Sequence, residues 1–181
     1  MIKDEHLSTK LYKLSIPIDN EVNMSFLDTF RWAFKILCFN EEALLKVIND
    51  PDATLYGIII LLIAGITTSI YTFSLSAILL NILYMAIIIF IGYGFFYLIS
   101  SFLFEGKALA IQYFRAFSVL FAIYWIAIIP FIGSIVVFFG GIWILIANIF
   151  ILQKVQKISK TKSIVLGLIP LVLFFCFFLC R

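Results

Sequence analysis

Three groups of residues carry the chemistry this chain could do. The first is a run of lysines, Lys154, Lys157, Lys160 and Lys162, inside the hydrophilic stretch Gln153–Ser163. Lysines at such spacing next to apolar sequence set membrane orientation. They also attract anionic lipid headgroups, at about 1 kcal/mol per basic residue near the surface. The second group is Gly140, Gly141 and Asn148, about two helical turns apart. That spacing suits a helix-packing face closed by one interhelical hydrogen bond, worth roughly 0.6–2 kcal/mol in a membrane. An alternative use of Asn148 is to line a polar path. The third is Gly92-Tyr93-Gly94. A Gly-Tyr-Gly triplet occurs in potassium-selective filters, where backbone carbonyls line the pore. Here no Thr-Val precedes it and it lies inside a continuous apolar run. Gly92 and Gly94 are therefore read as helix-packing positions.

Acid–base and metal chemistry have almost nothing to work with. A hydrolase or metal site needs a nucleophile with its base, or clustered His, Cys, Asp and Glu. No Asp, Glu, Lys, Arg or His falls within any long apolar run, and the single histidine, His6, lies near the start of the chain. The deep polar inventory is Thr67, Thr68, Ser69, Asn81, Tyr84, Tyr93, Tyr97, Tyr124 and Asn148. Cys38, Cys176 and Cys180 are too few and too scattered for a disulfide framework or a zinc pattern. The expectation is a non-enzyme with no cofactor and no catalytic, cofactor-binding or metal residues. No basic patch interleaves with aromatics, so nucleic acid is not an expected partner.

The elements that hold these groups follow from composition. Of 181 residues, 64% are hydrophobic and 13% charged, against about half and a quarter in soluble domains. Nine of the ten acids precede residue 53, and Thr54–Phe104 holds no charge at all. About 20 apolar residues span a bilayer, so this charge-free run needs more than one crossing. The reading is an all-α, polytopic membrane protein. It has an amphipathic N-terminal arm over 1–53 and five transmembrane helices near 55–73, 78–104, 116–129, 134–152 and 164–180.

Met1–Asn23 reads as a tail with a short extended segment near Leu11–Ile18, and no signal-peptide pattern opens the chain. Ser25–Phe39 predicts an amphipathic helix, with Ser25 and Asp28 as a capping box. Asn40, Glu41 and Glu42 begin a second helix that Asp50-Pro51-Asp52 ends. These two helices are expected at the cytoplasmic leaflet, against lipid or against the ends of the spans. Glu105-Gly106-Lys107 breaks the second span, and Ala108–Phe114 predicts an interfacial helix before Arg115. Pro130-Phe131-Ile132-Gly133 is a tight turn. Gly167 and Pro170 fall within the last span. Spans three and four could alternatively form a re-entrant hairpin.

Alternating the loops puts twelve Lys/Arg on one side and Arg181 alone on the other. The positive-inside rule then sets the N-terminus in the cytoplasm and the C-terminus outside. The arm is net acidic and the lysine loop basic, so Glu41 or Glu42 is expected to dock near Lys157 or Lys160.

A polar arm, five spans, Glu105-Gly106-Lys107 leading into Phe114-Arg115-Ala116-Phe117-Ser118, and Ile129-Pro130-Phe131-Ile132-Gly133 before a basic loop resemble the Yip family. The resemblance covers about Phe26–Cys180. It implies the fold of small multi-pass, Rab-interacting membrane proteins, whose membrane domain also occurs in uncharacterised bacterial and archaeal proteins. Eukaryotic members carry Asp-Leu-Tyr-Gly-Pro before the first span. Here two residues separate Asp52 from Leu55-Tyr56-Gly57, and Ile58 stands where proline would be. The short arm and Ile/Phe/Lys-rich composition are most like a prokaryotic member. That implies the cell membrane, where a eukaryotic member would imply Golgi or endoplasmic reticulum. The function expected is a scaffold or adaptor in membrane organisation or trafficking, meeting the bilayer, anionic lipids and a cytoplasmic protein through residues 1–53. The alternative is a small transporter or channel component acting as an oligomer, motivated by Asn148 and Thr67-Thr68-Ser69.

Overall fold

A computed structural model describes residues 25–70, 74–129 and 131–179, with only the backbone at 171 and 173–179. The expected tail over 1–23, His6, Cys180 and Arg181 lie outside the described residues, as do Tyr71–Phe73 and Pro130. The described residues form seven α-helices and one long 3-10 segment. In order these are α1 (Phe26–Leu37), α2 (Glu41–Asn49), α3 (Ala53–Thr67), α4 (Leu75–Phe102) and α5 (Ala110–Val119). The 3-10 segment Leu120–Ile128 follows, then α6 (Gly133–Lys154) and α7 (Lys160–Leu179).

Local signals explain most helix starts. The Ser25 hydroxyl accepts from the Asp28 backbone N–H at 3.2 Å while the Asp28 carboxylate reaches back to Ser25, which closes the capping box of α1. The Asn40 side chain accepts from Ala43 N–H at 2.8 Å to start α2. Ser74 caps α4 through Ala77 N–H, so Leu75–Ala77 are helical and the sequence's loop over 72–77 is shorter than expected.

Among the described residues three helices are long and apolar enough to cross a membrane: α4, the joined run Ala110–Ile128, and α6. A fourth is counted if α2 and α3, bent by 108° at their junction, are taken together. The joined run changes the picture at the third span. Sequence periodicity separates an interfacial helix over 108–114 from a short span over 116–129, whereas the chain forms one run. Its second half is 3-10, with a rise of about 2.0 Å per residue against 1.5 Å in an α-helix. Ala110–Ile128 thereby extends to about 33 Å rather than about 28 Å, enough for a hydrocarbon core of about 30 Å. A 3-10 segment of nine residues is long for its type. Contacts hold it, because Leu120, Phe121, Ala122, Tyr124 and Ala127 are all buried.

α3, at 15 residues, is the shortest apolar helix. At about 22 Å it falls short of the core by itself. It approaches its neighbours very closely: a Cβ on Gly57 would collide with the Ser118 hydroxyl, and one on Gly65 would lie 3.1 Å from Ile82. The Thr67 hydroxyl lies 3.0 Å from the Tyr124 carbonyl, and the Trp125 indole N–H donates to the Ile60 carbonyl at 3.2 Å. Asn81 of α4 donates to the Gly65 carbonyl at 2.8 Å and to Thr68 at 2.9 Å.

α2 lies across the bundle. Its first residue, Glu41, pairs with Lys154 at the end of α6. At its far end Arg115 of α5 donates to the Ile48 carbonyl at 2.9 Å and to Thr54 at 2.8 Å. Arg115 thus sits at the C-terminus of α2, where a cation is favoured, and pins the α2–α3 elbow. α1 packs beside α2 and against the 3-10 segment, α3 and α6. Its Phe30 stacks on Trp125 at 4.4 Å between centroids, and its Leu37 carbonyl accepts from Trp143 at 3.0 Å.

A lysine-rich candidate site at the loop joint

The α4–α5 and α6–α7 loops lie at the same end of the bundle as α2. Their lengths differ from the sequence reading. α6 runs through Lys154 and α7 begins at Lys160, so the hydrophilic stretch Gln153–Ser163 reduces to a true loop over 155–159. Lys154 is the last residue of one helix, and Lys160 and Lys162 belong to the first turn of the next. Only Lys157 stands on the loop proper. All four lysines are exposed.

One residue joins the two loops. Gln156 is fully buried. Its backbone carbonyl accepts from Lys107 N–H at 3.1 Å, and its side-chain Oε1 accepts from Ala108 N–H at 3.2 Å. Gly106 N–H turns back to the Ser100 carbonyl at 2.8 Å. A Cβ at Gly106 would meet that carbonyl at 2.9 Å and collide with the Gln156 side chain, so this turn needs glycine for close approach. Glu105 and Lys157 both take left-handed backbone angles, each with φ 57°. That conformation costs a non-glycine residue roughly 1–2 kcal/mol.

The electrostatics separate the lysines. Lys154 donates to Glu41. Among the described residues no carboxylate lies within ion-pair distance of Lys107, Lys157, Lys160 or Lys162. Lys162 sits 5.5 Å above the Phe104 ring. The acidic arm and the basic loop do meet, through Glu41 and Lys154 rather than the Lys157 or Lys160 partners read from sequence. Glu42 bonds Lys46 on its own helix at 2.9 Å, which lowers its carboxyl pKa. Trp32 of α1 lies beneath two ammonium groups, Lys35 at 4.0 Å and Lys46 at 4.4 Å. At the elbow, burial raises the Asp50 carboxyl above the usual aspartate range, against the Asp52 backbone N–H it accepts and the nearby Arg115 charge.

Beneath the joint runs a buried polar seam. The Tyr113 hydroxyl donates to Asn148 Oδ1 at 2.7 Å, and both side chains are fully enclosed. Tyr113 stacks on Tyr93 and Phe117. The Asn148 and Gln156 amide nitrogens have no partner among the described residues. Gly140 and Gly141 lie on the same helix as Asn148, where a Cβ would lie 3.1 Å from the Tyr124 ring and 3.3 Å from its hydroxyl, respectively. Gly92 and Gly94 are elsewhere: a Cβ on either would meet no atom of another element within 4 Å. The expected packing glycines thus divide, and Gly57, Gly65 and Gly106 take the close approaches that Gly92 and Gly94 do not.

Sequence reasoning passed over Gln156, Tyr113 and the capping role of Arg115. Gln156 had one signal, being the uncharged amide between two lysines. Tyr113 had none, since nothing in its segment says that Asn148 faces it.

A family model of the Yip1 domain matches residues 35–180, from the last turn of α1 through the last apolar helix. The chain belongs to the Yip family. It is an integral, multi-pass membrane protein with a Yip1 domain. No curated protein and no solved structure matches it. The Yip1 match takes in the loop joint, the Arg115 clamp and the Tyr113–Asn148 seam together. Among the described residues no group of three or more His, Cys, Asp or Glu is placed to hold a metal ion.

Proposed function

We propose that this Yip1 domain is a non-enzymatic scaffold or adaptor in membrane organisation or trafficking, working through its charged end. The observation that carries the reading is how its polar groups are used. Arg115, Thr67, Asn81, Trp125, Trp143 and the Tyr113–Asn148 pair are all engaged in holding helices to one another. The free charge is gathered on the two loops and the start of α7, beside the ion-paired charges of α2, a platform suited to meeting a partner or a lipid surface. The hydroxyls of Thr67, Thr68 and Ser69 bond backbone carbonyls of their own helix. Asn148 is enclosed, with its Oδ1 taken by Tyr113, which favours packing over a transport path.

In this reading the domain has five spans, the platform faces the cytoplasm and the C-terminus lies outside. The arm over 1–53 meets a cytoplasmic protein, and Lys157, Lys160 and Lys162 lie at headgroup level, while Lys154 is held by Glu41. The twelve-to-one split of Lys/Arg supports that orientation. Single cysteines at Ser76, Lys107, Gly133 and Lys157 test it by labelling. Ser76 and Gly133 should react from outside, and the two lysine positions only from inside. Affinity capture of the full chain from its own membranes tests the adaptor role, compared with a Glu41→Arg variant that repels Lys154. Absence of any specific partner, with no membrane phenotype on deleting the chain, would sink it. Substrate flux in liposomes that Asn148→Leu abolishes would put transport in its place.

A further inference from the structure

We propose that the loop joint is a headgroup site for an anionic glycerophospholipid, with Lys107, Lys157, Lys160 and Lys162 meeting the phosphate. The inference rests on the orientation above only for which leaflet supplies the lipid.

Four observations converge on it. The first is leftover charge. Glu41 neutralises Lys154 and Glu42 neutralises Lys46, whereas Lys107, Lys157, Lys160 and Lys162 have no carboxylate partner among the described residues. Three positive charges in the short stretch 157–162, with Lys107 joined to its base, raise the local positive potential and attract anions.

The second is rigidity. Topogenic lysines need only be on the correct side of the membrane. These leave the backbone from a locked joint, in which Gln156 takes the N–H groups of both Lys107 and Ala108. Lys157 holds a left-handed backbone at its edge. Fixing the bases of the lysines in advance lowers the ordering cost of a shared ligand.

The third is an unused donor. Gln156 Nε2 is fully buried in the joint and has no partner among the described residues. A buried amide of this kind ordinarily has an acceptor, so the joint holds an unmet demand for one.

The fourth is the surface next to the charges. Phe102, Leu103 and Leu109 are 79%, 69% and 64% exposed. They flank the loop that carries Lys107. Lys162 reaches over the adjoining Phe104, an apolar stem below and a charge above. A group of unpaired lysines bordered by exposed apolar side chains matches a lipid with its chains attached. A soluble acidic peptide would leave that apolar border uncovered.

The test uses the full chain, purified in detergent and mixed with phosphatidylglycerol or phosphatidylcholine. Retained lipid is counted by native mass spectrometry. Phosphatidylglycerol should be retained in preference to phosphatidylcholine. Retention should fall about fivefold for each of Lys107→Gln, Lys157→Gln and Lys160→Gln, the equivalent of about 1 kcal/mol per lysine. Lys154→Gln, whose charge Glu41 already neutralises, should leave it unchanged. Thermal unfolding run alongside confirms that each variant is folded, and Lys157→Gly adds a variant that relieves the backbone while removing the charge. Equal retention of both lipids overturns the proposal. So does a loss at Lys154→Gln as large as at Lys157→Gln, or full competition by inorganic phosphate. This assay is blind to orientation, and the labelling experiment is blind to lipid, so the two readings fail independently.

Discussion

α4 and the Ala110–Ile128 run both qualify as membrane spans, and they are built in opposite ways. α4 has 28 residues and is strongly apolar, yet only 6% of its most apolar stretch is buried inside the molecule. The Ala110–Ile128 run is shorter and less apolar, and half of it is buried. It packs against α1, α2, α3, α4 and α6. Hydropathy therefore ranks these segments by exposure to lipid. The segment that organises the fold carries Arg115, Gln112, Tyr113, Ser118 and Tyr124, because a helix surrounded by protein can hold polar groups that lipid would penalise. α4 is free to be uniformly apolar and longer than the bilayer needs, which tilt accommodates.

The contrast is most easily broken with leucines. Leu120 is fully buried and Leu80 is 66% exposed. Leu120→Ala should destabilise by about 2–3 kcal/mol, the lower part of the soluble range, because lipid is as apolar as the leucine and only packing is lost. Leu80→Ala should stay within about 0.5 kcal/mol. Reversible unfolding in mixed micelles measures both, and equal effects would erase the distinction between core and periphery.

The tyrosines sharpen it next. Tyr113→Phe leaves Asn148 without its partner inside the protein, and a cycle with Asn148→Leu should give a coupling of about 1 kcal/mol. Tyr93→Phe on α4 removes a bond to the Ala110 carbonyl at an exposed position and should cost less. A coupling near zero would mean that the seam is incidental to packing.

Two smaller effects probe how the central run holds α2. The Asp50 pKa is raised in the folded state, so the native chain binds this proton more tightly than the unfolded one. The carboxyl stabilises most at acid pH, below the ordinary aspartate value, and that contribution is lost as pH rises through the raised value. Asp50 faces Asp52 and Arg115 at the elbow. Stability measured against pH should fall across this window in the wild type, and Asp50→Asn should flatten the fall. A profile unchanged by the substitution would remove Asp50 as its cause. The Glu41–Lys154 pair is exposed, so Glu41→Gln should cost under about 1 kcal/mol and less still in high salt. Crosslinking between positions 41 and 154 should survive in the wild type at low salt and weaken in the variant.

Particular residues show why some of this was legible in the sequence. Ser25 with Asp28, and Asn40, announce their helices because a cap acts within four residues. The charge-free run over 54–104 announces the membrane because bilayer thickness is set by lipid. Gly92 and Gly94 meet no neighbour among the described residues of this chain. A glycine states only that a close approach is sterically free, and nothing near it in the chain says whether a neighbour arrives. Gly57 does meet one, Ser118, which lies sixty-one residues away. The boundary between 108–114 and 116–129 was hidden for a related reason, since periodicity falters where an α-helix continues as 3-10.

The sequence by itself determined a multi-pass helical membrane protein of the Yip family, its capped amphipathic helices and its segregated charge. All of these follow from short-range rules and from the solvent on either side. Only the tertiary structure decided that Arg115 clamps α2, that Tyr113 answers Asn148, that Glu41 takes Lys154 out of the lysine group, and that Gln156 joins two loops. Each is a pairing between residues far apart in the chain. Composition is silent on such pairings, because their energy comes from mutual geometry rather than from residue type.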